Sequence, residues 1–236
     1  MMGAQLVIGK IDLSSVYVRY AFFVLVLLIV SSCSSTPPDD DTKITIHASG
    51  GVGGVWEMLG FHPGDQIPDF KLYTGEGKPF RLYDELTKRK HTVLINASHT
   101  CDFSRANLPS IKSIIKRYAT KANIVMIYTI DAHPNDTLSP YAENNRPWVP
   151  PNNKRDNIST PQPKTYGERV SLSRQWKNAN NIPVRVLVDG PDNQFWNAFG
   201  QAPNMCYIVN DGGKVEYRQT WYNGKELELQ LKRLTE

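Results

Sequence analysis

The stretch INASHTCDFSRANLP, Ile95 to Pro109, places one cysteine between an apolar strand and a helix. The helix is indicated by apolar residues at helical spacing, which predict that it continues to about Lys121: Leu108, Ile111, Ile114, Ile115 and Tyr118. Unpaired N–H groups and the helix dipole favour a thiolate at a helix N-terminus. Cys101 is therefore the candidate nucleophile, and we expect an accessible thiol with a lowered pKa.

The residues around this stretch predict a sheet. Strands are indicated within residues 64–86 and by apolar runs at 91–98, 123–130, 184–189 and 205–210. A DGG turn at 211–213 leads into a returning strand, and LELQLKRL at 227–234 predicts a closing helix. This order predicts an α/β fold in which helices flank both faces of a mixed central sheet. Cys101 then follows the carboxyl end of a central strand, where such sheets place active sites.

Composition excludes two classes of protein. The chain has 236 residues, a formal net charge of +4 and no basic stripe with interleaved aromatic residues, so it is not expected to bind nucleic acid. Its three cysteines are too few for a framework of several disulfides.

The N-terminal residues resemble a secretory signal. A basic region precedes ten apolar residues at 21–30, and small residues follow. The sequence VSSC, ending at Cys33, resembles the bacterial lipobox, which implies that Cys33 is lipidated and that the protein is anchored in the cell envelope, facing the periplasm or exterior. The alternatives are an ordinary signal peptide or a buried apolar helix. We expect a signal peptide at 1–32, a flexible tether at 33–60 and one domain at 61–236.

Three segments resemble the redoxin branch of the thioredoxin superfamily. GDQIPDFKL followed by GEGKPFRL resembles its opening, and CDFSRANLP resembles the CxxCRxxxP pattern of membrane-tethered reductases, with Ser104 in place of the second cysteine. GQAPNMCYIV at 200–209 resembles the segment with the cis-proline of the fold, which implies a cis bond before Pro203.

A narrower resemblance is to the iodothyronine deiodinases. SHTCDF, YTIDAHPND, PVRVLVD and FGQAPNMCYIVNDGGKVEY resemble that family in order and approximate spacing, and Cys101 stands where the family has selenocysteine. The resemblance implies a thioredoxin-like oxidoreductase, and it implies that His133 exchanges a proton with Cys101. It does not show that iodothyronines are the substrate. A surface loop histidine is the alternative for His133.

Residues near Cys101 have expected roles. Thr100 and Ser104 could hydrogen-bond the thiolate, although Ser104 could simply start the helix. Arg105 would stabilise the thiolate if its side chain folds back, whereas the Asp102 carboxylate would oppose it.

The residues expected to contact substrate are Ala202, Pro203, His99 and Ser104. A cis Pro203 would present the backbone of Ala202 to an extended substrate, and His99 is a further candidate contact. Cys206 is interpreted as a buried apolar residue, with a resolving thiol as the alternative. Asp131 and Asp136 could orient His133 or cap its loop.

Residues 134–164 are too proline-rich for one regular element. Long loops in compact domains are usually functional or disordered. This loop, with Tyr141 and Trp148, could be a lid that sorts substrates or a floppy insertion.

The leading hypothesis is a monothiol oxidoreductase that needs no metal or cofactor. Because Cys101 has no adjacent partner, an outside thiol or a thioredoxin-like reductase would reset it, or Cys206 would. The alternatives are a peroxidase-type redoxin, a copper-binding module using Cys101 with His133 or His99, and a non-catalytic scaffold.

Overall fold

The computed structural model describes residues 36–142 and 147–236. The predicted signal peptide and Cys33 lie outside the described residues. Within those two ranges, no helix has the length and apolar character needed to cross a membrane.

Seven strands and six α-helices make up the described fold. The strands are β1 (Lys71–Thr74), β2 (Pro79–Arg81), β3 (His91–Ala97), β4 (Asn123–Tyr128), β5 (Val186–Val188), β6 (Cys206–Asn210) and β7 (Val215–Gln219). The helices are α1 (Leu82–Leu86), α2 (Asp102–Tyr118), α3 (Pro151–Arg155), α4 (Tyr166–Ala179), α5 (Gln194–Phe199) and α6 (Gly224–Thr235). A 3-10 turn at Trp56–Met58 precedes β1.

The strands form one mixed sheet in the order β2-β1-β5-β4-β3-β6-β7. The central strands β3, β4 and β5 run parallel, with Ala97 opposite Tyr128 and Tyr128 opposite Val188. The outer pairs are antiparallel. The carboxyl ends of the three central strands therefore meet at one edge of the sheet. Cys101 comes shortly after the end of β3, and His133 shortly after the end of β4.

Helices cover both faces of this sheet, as predicted. On one face, α2, α4 and α6 pack through residues such as Ile111, Trp176 and Leu231 against β3 and β4. On the other, α1 and α5 contribute Leu82 and Phe199 to a second apolar cluster. Strand β3 is buried along its whole length because it contributes side chains to both clusters.

The prediction of a flexible tether at 33–60 needs correction. From Thr36 onward this segment pairs with the domain: the Ile44 N–H donates to the Lys164 carbonyl (3.0 Å) and the Ser49 N–H to the Pro140 carbonyl (2.7 Å). The compact unit accordingly spans Thr36–Glu236. Polar composition suggested a free segment, but backbone hydrogen bonds hold it in place whatever its side chains are.

Candidate functional site

Cys101 is the N-cap residue of α2. Its φ and ψ are −73° and 112°, and its Sγ accepts the backbone N–H of Ser104 at 3.3 Å. This hydrogen bond satisfies one of the unpaired donors at the helix start. The position between strand and helix is the one predicted.

The thiol is not accessible, which corrects the sequence-based expectation. Cys101 has an exposed fraction of 0%. Burial raises its pKa from 9.0 to about 11, and this effect outweighs the hydrogen bonds from Ser104 that favour the thiolate. The Asp102 carboxylate also raises the pKa. A pKa near 11 leaves about one thiol in ten thousand ionised at pH 7. The structure therefore holds a buried, protonated thiol.

This burial predicts the pH dependence of alkylation at Cys101. The iodoacetamide reaction rate should keep rising through pH 10 toward a midpoint near 11, because only the thiolate reacts. The urea-unfolded chain is the control and should show a midpoint near the ordinary cysteine pKa of 9.0. A plateau below pH 9 in the folded protein would contradict the buried environment.

Asp131 organises the loop before Cys101. One carboxylate oxygen accepts both the backbone N–H and the hydroxyl of Thr100, at 2.9 and 2.8 Å, and the other accepts the Tyr128 hydroxyl at 2.7 Å. The Asp131 side chain is fully buried, and burial raises the pKa of its carboxyl. Thr100, expected to bond the thiolate, directs its hydroxyl to Asp131 because that carboxylate is the stronger acceptor.

His133 lies at the same edge of the sheet. Its backbone N–H donates to the Thr100 hydroxyl oxygen (3.0 Å), and its Nε2 lies 3.7 Å from Asp102 Oδ1. Burial lowers the pKa of His133 to about 4, although the Asp102 carboxylate acts in the opposite direction. The imidazole is therefore neutral at pH 7. Its Nδ1 has no hydrogen-bond partner within the described ranges, so it can accept a proton.

The lowered pKa of His133 predicts an acid-sensitive contribution to stability. The imidazole of the unfolded chain titrates near 6.5. Between about pH 6.5 and pH 4 the folded state therefore binds fewer protons than the unfolded state. Stability is lost over that window, by about 3 kcal/mol at pH 4. The free energy of unfolding would be measured in urea at pH 7 and at pH 4 for the wild type and for His133→Asn. Its decrease between the two pH values should be smaller in His133→Asn by about this amount. Equal losses in both proteins would contradict the buried imidazole.

Arg105 was expected to fold back towards the sulfur, but its guanidinium binds other groups. Its guanidinium donates to the His99 carbonyl (3.3 Å) and to Asn153 Oδ1 (2.8 Å), and it lies 3.6 Å from an Asp156 carboxylate oxygen. These acceptors surround the guanidinium and hold it beside the loop. Arg105 thus links α2 to α3.

His99 is held through its backbone. Its N–H donates to the Tyr128 hydroxyl at 3.2 Å, and burial lowers the pKa of its imidazole. The imidazole Nδ1 is buried without a partner in the part of the chain that the structure describes.

The segment with Ala202 and Pro203 differs from the expectation. None of the described peptide bonds is cis, so the bond before Pro203 is trans. The Ala202 carbonyl, expected to pair with substrate, accepts the Asn96 amide at 2.8 Å, and Asn96 also accepts the Met205 N–H. These contacts attach the turn to β3 and occupy the Ala202 carbonyl. The Pro203 carbonyl accepts the Ser104 hydroxyl at 3.4 Å, which brings this turn next to the start of α2.

Residues 147–164, which we call the cover segment, pack against residues 98–101. We call residues 98–101, which join β3 to α2, the Cys101 loop. The Trp148 ring lies edge-on to the His133 ring, with centroids 4.4 Å apart. The Gln162 side chain exchanges hydrogen bonds with the backbone of Asp131, at 3.1 and 2.9 Å. This part of the proline-rich loop is therefore ordered against the site, and it is not a floppy insertion.

Cys206 is buried in the sheet. It opposes Ile95 in the β3–β6 register, belongs to the apolar cluster beneath α2, and has a pKa raised by burial. Cys101 and Cys206 are both free thiols. The environment of Cys206 fits an apolar packing residue better than a resolving thiol.

A metal centre finds no support in the described ranges. No group of three or more His, Cys, Asp or Glu side chains there could hold an ion. The copper-binding alternative would have to rely on Cys101 and one imidazole.

Three residues of the site were missed by sequence reasoning: Asn96, Asn153 and Gln162. Asn96 carries a detectable signal, because an amide inside an otherwise apolar buried strand must have hydrogen-bond partners. Asn153 and Gln162 lie among prolines and polar residues, where no periodicity distinguishes them.

Comparisons with known proteins agree with this fold. The chain matches the family model of iodothyronine deiodinase over residues 12–234. No curated protein sequence matches it.

Similar solved structures have low sequence identity. A candidate protein disulfide isomerase from Bacteroides thetaiotaomicron is 15% identical, over 75% of this chain and 91% of that chain, with a TM-score of 0.50. The C-terminal domain of a candidate thiol-disulfide oxidoreductase from the same organism is 10% identical, over 74% and 96%, with a TM-score of 0.51. A hypothetical protein from Sinorhizobium meliloti 1021 is 13% identical, over 74% and 85%, with a TM-score of 0.53. At these identities they establish the fold, and the predicted thioredoxin-like architecture is confirmed.

Proposed function

Because the chain belongs to the iodothyronine deiodinase family, a family of oxidoreductases, we propose that Cys101 is the single nucleophile of a thiol-dependent reductase. The observation that carries this proposal is the cap geometry, in which Cys101 Sγ accepts the Ser104 N–H at the start of α2. A sulfur held there gains stabilisation of its anion as soon as it is uncovered.

The proposed reaction forms a covalent intermediate on Cys101, which donor thiols then reduce. With a disulfide R–S–S–R′, the Cys101 thiolate forms a mixed disulfide with R–S and releases R′–S⁻. An external thiol then attacks the mixed disulfide, which releases R–SH; a second thiol frees Cys101 and leaves the donor oxidised to its own disulfide. With an aryl iodide, the aryl carbon takes a proton and iodine is transferred to sulfur. Two donor thiols then release iodide, regenerate Cys101 and become one disulfide.

His133 supplies the base in this scheme. Burial keeps this imidazole neutral at pH 7, and its Nδ1 has no partner among the described residues. The same burial makes it a weak base, so it takes the Cys101 proton only once the site is uncovered and water returns its pKa towards the ordinary 6.5. Asp131 positions both partners, because it binds Thr100, whose hydroxyl oxygen accepts the His133 N–H.

The electron donor comes from outside the chain. Cys206 lies fully buried in the sheet, so its thiol is not presented for resolution. Phe103, two residues after Cys101, is 53% exposed, and its ring contacts that of Trp221, which is 42% exposed, with centroids 5.4 Å apart. This aromatic pair is the surface on which a small thiol or a thioredoxin-like reductase would approach.

We place the protein in the bacterial cell envelope, lipid-anchored through Cys33. The support is the sequence VSSC behind a basic and apolar leader. Expression of the full chain in a bacterial host with labelled palmitate should label the wild type in the membrane fraction. Cys33→Ser should remain unlabelled and leave that fraction, while equal labelling of both would rule out the anchor.

The substrate class is tested with purified protein and dithiothreitol as donor. We would offer an iodinated phenol, a low-molecular-weight disulfide and hydrogen peroxide separately. Thiol-dependent release of iodide or reduction of the disulfide, above the uncatalysed rate, supports the proposal. Turnover of hydrogen peroxide alone would establish the peroxidase alternative, and no turnover of any of the three would leave only a non-catalytic role.

A further inference from the structure

Asn153 is a fully buried amide in a segment that otherwise lies near the surface. It is the third residue of α3, and its exposed fraction is 0% while its neighbours Asn152 and Lys154 are exposed. Burying a polar side chain is unfavourable unless hydrogen bonds compensate for the lost water. The partners of Asn153 therefore indicate why it is buried.

Both ends of the amide bind residues close to Cys101 in the chain. Its Nδ2 donates to the Thr100 carbonyl at 2.8 Å, and its Oδ1 accepts the Arg105 guanidinium at 2.8 Å. Thr100 directly precedes Cys101, and Arg105 lies one turn into α2. One side chain thus holds the chain on both sides of the thiol, and the bond to Arg105 involves a charged donor, which strengthens it.

The backbone of Asn153 is equally engaged within the cover segment. Its N–H donates to the Pro150 carbonyl (3.0 Å), and its carbonyl accepts the Ile158 N–H (2.8 Å). The cover segment and the Cys101 loop are therefore connected through a residue that is fixed in both. The other links, Trp148 with His133 and Gln162 with Asp131, contact the loop after β4.

We propose that Asn153 is a positioning residue that clamps the cover segment to the backbone on either side of Cys101 and thereby controls access to the thiol. The amide is suited to this because its NH2 group donates to the Thr100 carbonyl and its oxygen accepts from the Arg105 guanidinium. Opening the site for substrate breaks both bonds but leaves the helix cap of Cys101 in place, since the Ser104 N–H that binds its sulfur belongs to α2. This inference rests on the proposed function and adds to it, since it names the residue that controls access to the nucleophile Cys101.

The test is the iodoacetamide alkylation rate of Cys101 at pH 8, measured in the full chain by peptide mass spectrometry. Asn153→Ala removes both side-chain bonds and should raise the rate at least about tenfold, because buried bonds that favour the closed state are lost. Asn152→Ala on the same short helix is the matched control, and its rate should stay within about twofold of the wild type.

Cys206 provides an internal reference in the same experiment. Opening of the cover segment exposes Cys101 alone, whereas general loss of structure exposes both thiols. Faster labelling of Cys101 with unchanged Cys206 supports the clamp. The inference is overturned if Cys101 reacts no faster than in Asn152→Ala, or if Cys206 accelerates in step with it.

Asn153→Asp keeps the test valid if the alanine variant does not fold. It preserves the size of the side chain and an acceptor for Arg105, but it removes the donor to the Thr100 carbonyl. Its Cys101 rate should rise by at least about threefold, and an unchanged rate would overturn the clamp. Alkylation needs no substrate, so this result is independent of whether the proposed reductase activity is found.

Discussion

Replacing Cys101 with serine is expected to reduce thiol-dependent turnover at least about a thousandfold, because a serine hydroxyl cannot form the sulfur intermediate. The substitution keeps an acceptor for the Ser104 N–H at the start of α2, so the helix cap should survive. The measurement is the steady-state rate with dithiothreitol and whichever substrate the wild type turns over. Thermal unfolding of the variant checks that the fold is retained.

Cys206→Ala is the matched control for this prediction. It removes the other buried thiol of the described fold, and it should keep turnover within about threefold while lowering stability by about 1 kcal/mol. Loss of activity in Cys206→Ala comparable to that in Cys101→Ser would assign a resolving role to Cys206 and contradict the single-cysteine scheme.

Replacing Asp131 with alanine should lower the free energy of unfolding by about 3 kcal/mol or more. The variant leaves three donors unsatisfied in a buried environment, namely the Thr100 N–H, the Thr100 hydroxyl and the Tyr128 hydroxyl. Because Thr100 also binds the His133 backbone, the loss should extend to the catalytic loop. Urea unfolding at pH 7 measures the change.

Asp136 supplies the comparison, since it lies on the same loop and accepts the Gln162 N–H at 2.9 Å. Asp136 is exposed, and its ion pair with Lys164 is screened by water, so Asp136→Ala should cost less than about 1 kcal/mol. Similar costs for the two variants would contradict the central position of Asp131.

The sheet and the location of the nucleophile could be predicted because both depend on local pattern. Unbroken apolar runs marked β3 and β4, and helical spacing from Leu108 to Tyr118 marked α2. Cys101 falls between a strand and a helix in the sequence, so topology alone places it at the carboxyl edge of the sheet.

The environment of the thiol could not be predicted in the same way. Its pKa depends on a competition between the helix start, which lowers it, and burial, which raises it. The cover segment reaches the residue before Cys101 through a hydrogen bond that joins Asn153 to Thr100 across 53 residues of sequence. No periodic pattern in a proline-rich stretch indicates such a contact.

Two further expectations were wrong for a related reason. The peptide before Pro203 is trans. The Ala202 carbonyl is engaged because Asn96 of β3 binds it from a distant part of the chain. Residues 36–60 look like a tether by composition, yet backbone bonds such as that from Ile44 to Lys164 attach them to the domain. In both cases the deciding partner is remote in sequence.

The central claim is that Cys101 forms the covalent intermediate, and its most direct test is the mass of the Cys101 peptide after one reaction cycle. The wild type would be mixed with an aromatic disulfide without any thiol donor, quenched with acid and analysed by peptide mass spectrometry. We predict about one mixed disulfide per chain, located on Cys101 and removed when dithiothreitol is added. Release of the aromatic thiol with Cys101 unmodified, or with the adduct on Cys206, would contradict the account.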